Sequence, residues 1–143
     1  MSSDHATPRR EAELRTIAMP ADTNAYGDIF GGWLLAQMDL AAGSYAIQRA
    51  RGRVATVGIE AMSFHRPVYV GDQVSCYCRT VRVGNTSISV HVETWARRRR
   101  EDERVDARKV TEGTFTFVAL NADGSKRRVP RDAAEDEAGA GPS

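Results

Sequence analysis

The alternation of apolar and polar positions divides the chain into one long helix and a succession of strands. Residues 30–51 contain no proline, few β-branched residues and many Leu, Ala, Met and Gln, which predicts a helix. Arg49 and Arg51 suit the negative end of its dipole, and Gly52 supplies a C-cap. Ahead of it, residues 13–19 predict a short strand, followed by a turn-rich stretch over 20–28. Everything after the helix reads as strand. Residues 54–65 run into Arg66-Pro67, Gly71-Asp72 makes the next turn, and 73–83 ends at Gly84-Asn85. In 86–96, Ile88, Val90, Val92 and Thr94 alternate with Ser87, Ser89, His91 and Glu93, the period of a strand buried on one face. Residues 105–120 alternate again before a turn over 121–124. One long helix with four or five long antiparallel strands predicts an α+β fold, the sheet curled over the helix.

The helix carries an anomaly. At 100° per residue, Leu34, Leu35, Met38, Ala41, Ala42 and Tyr45 share one apolar face, while Trp33, Leu40 and Ile47 cover much of the other. Such a helix is expected to be buried, yet between Ile29 and Gln48 it carries one charge, Asp39. A buried carboxylate must be paired, protonated or functional; the structural alternative is an ion pair or a bond to loop backbone. Two nearby features favour function. Gly31-Gly32 opens the helix, so a ligand can approach free N–H groups at the positive dipole end. Asn24 offers an amide in the preceding turn. Taken singly, paired glycines are ordinary loop geometry and an asparagine is ordinary turn chemistry. Asp39 lies roughly 10 Å along the axis from the glycines, so one helix does not complete a site.

Composition narrows the setting. The 143 residues suit one domain, expected over 12–130, with a flexible N-terminus over 1–11 and a disordered acidic tail over 131–143. The tail holds one arginine and four carboxylates, net −3, leaving +4 on the remainder of a chain of net charge +1. That balance argues against a nucleic-acid binder. No apolar run reaches membrane-span length. Cys76 and Cys78 are too few and too close for a disulfide framework, and with no signal peptide they predict a cytoplasmic protein.

The segment IAMPADTNAYGDIFGGWLLAQMDLAAG (17–43) resembles the signature of the hotdog-fold acyl-CoA thioesterases, most closely the short YciA-like bacterial acyl-CoA hydrolases. The resemblance continues through RVATVGIEAMSFHRPVYVGDQV (53–74), VRVGNTSISVHVETW (81–95) and VTEGTFTFVALNADGSKRRVPR (110–131), nearly all of the expected folded body. It implies a central helix wrapped by a curved antiparallel sheet, with two subunits joining their sheets edge to edge and active sites at the dimer interface. It further implies a hexamer built as a trimer of dimers, and an acyl-CoA thioester hydrolase that needs neither metal nor redox cofactor, coenzyme A being part of substrate and product. By resemblance the acid of the QMD segment, Asp39, is catalytic, either as general base on a water or as nucleophile through a mixed anhydride. Asn24 would face the Asp39 of the partner subunit, and Gly31-Gly32 would offer N–H groups to the thioester oxygen.

Coenzyme A carries three phosphate groups that need cationic partners. Arg66, Arg97, Arg98 and Arg108 are the candidates, with backbone N–H groups of the turn Gly84, Asn85, Thr86 and Ser87, where the family's usual basic residue is missing. The charge run over 97–109 otherwise reads as a solvated hairpin tip. His65 has no serine elbow or cysteine motif beside it and reads as a loop or core residue. His91 with Glu93, and Cys76 with Cys78, are same-face pairs too small for a metal site. Two rivals to hydrolysis of acyl-CoA stand on the same fold: a non-catalytic acyl-CoA-binding module, and a thioesterase acting on acyl carrier protein.

Overall fold

The computed structural model describes residues 7–132; residues 1–6 and 133–143, which include most of the expected flexible N-terminus and acidic tail, lie outside the described part. A short strand β1 (Leu14–Ile17) and a single 3-10 turn (Pro20–Asp22) precede the helix α1 (Gly31–Ala50). Four long strands follow, β2 (Val54–Phe64), β3 (Gln73–Val83), β4 (Ser87–Arg99) and β5 (Val105–Ala119). They form one antiparallel sheet in the order β1-β3-β4-β5-β2, so β1 and β2 are its edges.

The alternation in β4 puts Ile88, Val90 and Val92 against the helix, beside Phe115 and Phe117 of β5. The facing side of α1 is Met38, Ala41, Ala42, Ala46 and Ala50, all fully buried. Four alanines on that stripe keep side chains short, which lets the helix lie close in the hollow of the sheet. A second cluster closes the helix's N-terminal end, where Leu34 and Ile29 meet Val68, Val74, Ala96 and Val110.

Three expectations are corrected. The helix is not buried all round: in the protomer Leu40 is 60% and Ile47 48% exposed, because the sheet covers only one side of it. The left-handed residue at its C-terminus is Arg51 (φ 55°), not Gly52. Gly52 takes a φ of 154°, a conformation that residues with a side chain rarely adopt, and a Cβ there would push the flexible end of Arg127 aside. Finally, the charge run over 97–109 is mostly strand. Arg97, Arg98 and Arg99 pair with Ala107, Asp106 and Val105, so the tip shrinks to residues 100–104.

Among the described residues β2 has no strand partner on its outer backbone edge, and Val57 and Ile59 on it are exposed. Register shifts between Thr56 and Gly58 and between Glu60 and Ser63, the second with Ala61 in the left-handed region (φ 52°), bend the strand. A long apolar edge beside an exposed apolar helix stripe is a surface that a soluble protein covers.

Candidate active site

Asp39 sits mid-helix on the side turned toward β2. Thr56 Oγ1 donates to its Oδ1 at 2.8 Å, tying α1 to the edge strand. Asp39 is only half-buried and has no cationic partner among the described residues. A bent edge strand and an uncovered helix flank therefore present the carboxylate to the same open face that carries Leu40 and Val57. Thr56 carried no signal in the sequence; its role follows from the pairing of β2 beside the helix.

The helix N-terminus is open. Its N-cap, Phe30, makes no side-chain capping bond, and the first turn holds no acid. A Cβ at Gly32 would meet nothing within 4 Å, while one at Gly31 would lie 3.5 Å from the Phe64 ring. Gly31, Leu34, Phe64, His65 and Arg66 line a cleft of about 390 Å³ here. Asn24 spends its side-chain oxygen locally, accepting from Tyr26 N at 2.8 Å and Asp28 N at 3.1 Å. The turn role anticipated for it is real, and it leaves the amide nitrogen as the end available to a ligand. Its hydrogen bonds stay inside its own loop, so one protomer does not bring Asn24 to Asp39.

The four arginines separate. Arg108 is 8% exposed and donates at 2.6 Å to Asp72, which is fully buried, and at 3.3 Å to Pro67 O. Arg98 Nε lies 3.7 Å from the other Asp72 oxygen, and both guanidiniums cover the Tyr69 ring at 4.9 and 5.6 Å. These two clamp the 66–72 loop onto β4 and β5. Arg97 is exposed beside Arg15 and Gln73, away from Gly31. Arg66 alone borders both the Gly31 cleft and an adjoining hollow of about 230 Å³ with Trp95, Asp106 and Lys109. The turn at 84–87 lies at the opposite end of the helix. There Gly84 N donates to Ser87 O, while Asn85 O and Gly84 O accept from Val129 N and Arg131. Ala119 N donates to Thr86 O.

His65 follows β2 directly and is exposed. Its Nε2 meets Glu112 Oε2 at 2.8 Å, while His91 Nε2 lies 3.3 Å from Oε1. Glu93, opposite Glu112 across β4 and β5, accepts from Trp95 Nε1 at 2.7 Å. Bonding from His65 and from Lys109 holds the Glu112 carboxyl below its ordinary range. Burial and the Arg79 charge push His91 down. Cys76 and Cys78 face the core, where burial raises their thiols to about 11 and about 12. Among the described residues no three His, Cys, Asp or Glu side chains are placed to hold a metal ion, and no helix is long and apolar enough to cross a membrane.

A helix wrapped by this sheet, with an open helix N-terminus and a mid-helix carboxylate, defines a thioesterase of the hotdog class. Residues 26–103 match the thioesterase superfamily, and the chain belongs to it. The acyl-CoA thioester hydrolase YciA of Escherichia coli (strain K12) is 48% identical over 130 residues, 91% of this chain and 98% of that protein. The fold superposes at TM-score 0.82 on an aspartate-to-alanine form of a hexameric broad-specificity acyl-coenzyme A thioesterase, 43% identical over 87% of this chain and 90% of that one. It superposes at 0.73 on an acyl-CoA hydrolase from Staphylococcus aureus in complex with butyryl coenzyme A and coenzyme A, 26% identical over 91% of this chain and 73% of that one. Alanine variants of that hydrolase replace an asparagine, an aspartate 15 residues later and a threonine 17 beyond it. Asn24, Asp39 and Thr56 have the same spacing.

Proposed function

We propose that the protein hydrolyses acyl-CoA thioesters to free acid and coenzyme A, at sites shared between two protomers. The observation that carries this is the Asp39–Thr56 pair on the uncovered face, with its complement, Asn24 and the open helix N-terminus, set apart from it by about two helical turns of the same protomer. A second copy laid against α1 and β2 brings one protomer's Asp39 to the other's Asn24 and pairs the free edges of β2. It also covers Leu40 and Ile47.

The chemistry needs water and no redox partner. The Asp39 carboxylate takes a proton from water, and the oxygen attacks the thioester carbon. The carbonyl oxygen becomes an alkoxide held by the Gly31 and Gly32 N–H groups at the positive end of the helix dipole. Its collapse breaks the C–S bond, and the proton on Asp39 returns to the leaving thiolate. Thr56 fixes the carboxylate's rotamer and occupies one oxygen, leaving Oδ2 for the water. The amide nitrogen of Asn24 orients that water or the carbonyl. We favour this general-base course over an anhydride because Thr56 occupies one carboxylate oxygen and leaves the other to hold a water.

Coenzyme A enters as part of the substrate and leaves as product. Arg66 is the cation best placed for its phosphates, since Arg98 and Arg108 are committed to Asp72. Relatives of this length form hexamers, and we extend a trimer of dimers to this chain. Two free cysteines fit a reducing cytoplasm. Release of free thiol from a chain-length panel of acyl-CoA esters tests the reading. Turnover inhibited by free coenzyme A is expected. Binding of coenzyme A without turnover replaces the enzyme with a binding module, and indifference to free coenzyme A points to a carrier-protein substrate.

A further inference from the structure

Tyr26 exposes 90% of its surface, more than any other large apolar side chain among the described residues. An aromatic ring standing in solvent forgoes the burial that such rings ordinarily supply, and here the backbone beneath it is held firmly. Asn24 Oδ1 accepts from Tyr26 N at 2.8 Å and from Asp28 N at 3.1 Å. Asn24 N donates to Asp28 O at 2.7 Å, and Gly27 N donates to Asn24 O at 3.1 Å. Gly27 takes the left-handed φ of 86° that the turn requires, and a bridge between Thr23 and Ile29 ties the two ends of the loop. This turn fixes the Tyr26 backbone relative to the Asn24 amide, with the two Cα atoms within about 7 Å of each other. Wherever Asn24 docks, the tyrosine docks with it. On the helix, Ala36 and Leu40 lie one turn apart beside Asp39, and both are exposed, as is Val57 on the neighbouring strand.

We propose that Tyr26 is a specificity-determining residue whose ring forms one wall of the acyl channel, facing the partner's Ala36 and Leu40 across the interface. This rests on the shared hydrolytic site and adds its selectivity for the acyl group. With the Asn24 amide set against the partner's Asp39, the ring is carried onto the uncovered flank of the partner's helix. Ala36 ends at its Cβ, so a ring held off by Leu40 leaves an apolar space over the alanine. The thioester carbon has two substituents. Its sulfur leads to coenzyme A, whose phosphates go to Arg66 on the cleft side of Gly31, and its acyl chain leaves on the other side, into that space. Acyl groups long enough to reach the ring gain its burial, at about fourfold for each methylene covered, and acetyl gains nothing.

The test compares the full-length wild type with Tyr26→Ala, Tyr26→Leu and Tyr26→Phe on acetyl-, butanoyl-, hexanoyl-, octanoyl- and dodecanoyl-CoA, with sedimentation velocity run in the assay buffer. The readout is the ratio of kcat/KM for a long acyl group to that for acetyl within one protein. That ratio does not depend on how much of a variant is assembled, so a weakened interface does not mimic the effect. In Tyr26→Ala the octanoyl-to-acetyl ratio should fall about tenfold, the worth of one to two buried methylenes. Tyr26→Leu, which restores part of the apolar wall, should lie between Ala and wild type. Tyr26→Phe keeps the ring and should match the wild type within about twofold. An equal loss at every chain length in Tyr26→Ala overturns the proposal and leaves Tyr26 an anchor between subunits. An unchanged panel overturns it too, as does a ratio that rises in Tyr26→Ala, which makes the ring a stop that limits chain length. A fall in Tyr26→Phe as large as in Tyr26→Ala contradicts an apolar wall in favour of the hydroxyl. Absence of turnover by the wild type on every substrate sinks the hydrolase reading and this one with it, whereas turnover with a ratio that Tyr26→Ala leaves unmoved removes this one alone.

Discussion

Thr56 Oγ1 and Asp39 Oδ1 stand 2.8 Å apart, a hydrogen bond between the edge strand β2 and the middle of the long helix α1. Asp39 needs a fixed rotamer to aim its second oxygen, and a threonine on a bent edge strand supplies it. Thr56→Val keeps the shape of the side chain and removes the donor. Its kcat/KM on acyl-CoA should fall about tenfold or more, the range of a lost hydrogen bond to a charged group, with thermal stability unchanged within a few degrees. Steady-state kinetics beside a melting curve checks both.

The apolar flank of α1 should govern assembly. Leu40 and Ile47 lie one heptad apart on the helix side that the sheet leaves open. Placing a charge there, as in Leu40→Glu, requires an ion to be buried wherever a second copy covers it. Sedimentation velocity should show the variant shifting from oligomer toward monomer. Activity should fall in parallel, since an isolated protomer keeps Asn24 away from Asp39.

The arginines should divide into structure and binding. Arg108 makes the short bond to an Asp72 that has no exposure, so Arg108→Ala leaves the buried carboxylate with only the 3.7 Å approach of Arg98 and should cost about 3 kcal/mol in denaturant unfolding, the low end for a broken buried pair. Arg66 is exposed beside the cleft and makes no ion pair among the described residues. Arg66→Ala should leave stability where it is and raise KM for acyl-CoA about tenfold or more, the worth of one charged hydrogen bond.

Glu112 supplies a pH test. Its folded-state value lies below the ordinary value of 4.5, so its contribution is present at neutral pH and is lost as acid carries the pH down through the depressed value. The melting temperature of the wild type should exceed that of Glu112→Gln by about 1–3 °C at neutral pH, the scale of a half-exposed ion pair. The gap should close below 4.5 as the carboxyl protonates.

The elements were legible because their periods are unambiguous. The β4 alternation from Ser87 to Thr94 needs no tertiary information, and the helix ends one residue inside its expected span on each side. What sequence could not supply was neighbourhood. The apolar circumference of α1 reads as burial, yet one side of it stays exposed in the protomer, and a single sequence does not say which side the sheet covers. Thr56 became visible only when β2 lay beside α1, and the His65–Glu112 contact joins residues 47 apart through strand pairing. Arg98 and Arg108 looked like phosphate ligands because charge is visible along the chain and the Asp72 that engages them is not. Asn24 was legible as a turn residue and as a donor at once, since its oxygen and nitrogen do different work.

The most direct test of the account is steady-state release of free thiol from acyl-CoA by the wild type and by Asp39→Asn, with the variant's folding and oligomeric state verified alongside. The substitution keeps the shape of the side chain and the acceptor for Thr56, and removes the base. The account predicts clear turnover by the wild type and a loss in kcat of about a hundredfold or more in the variant, with KM little changed. Equal turnover by the two proteins would contradict it, leaving Asp39 a structural partner of Thr56 and placing the hydrolytic base elsewhere.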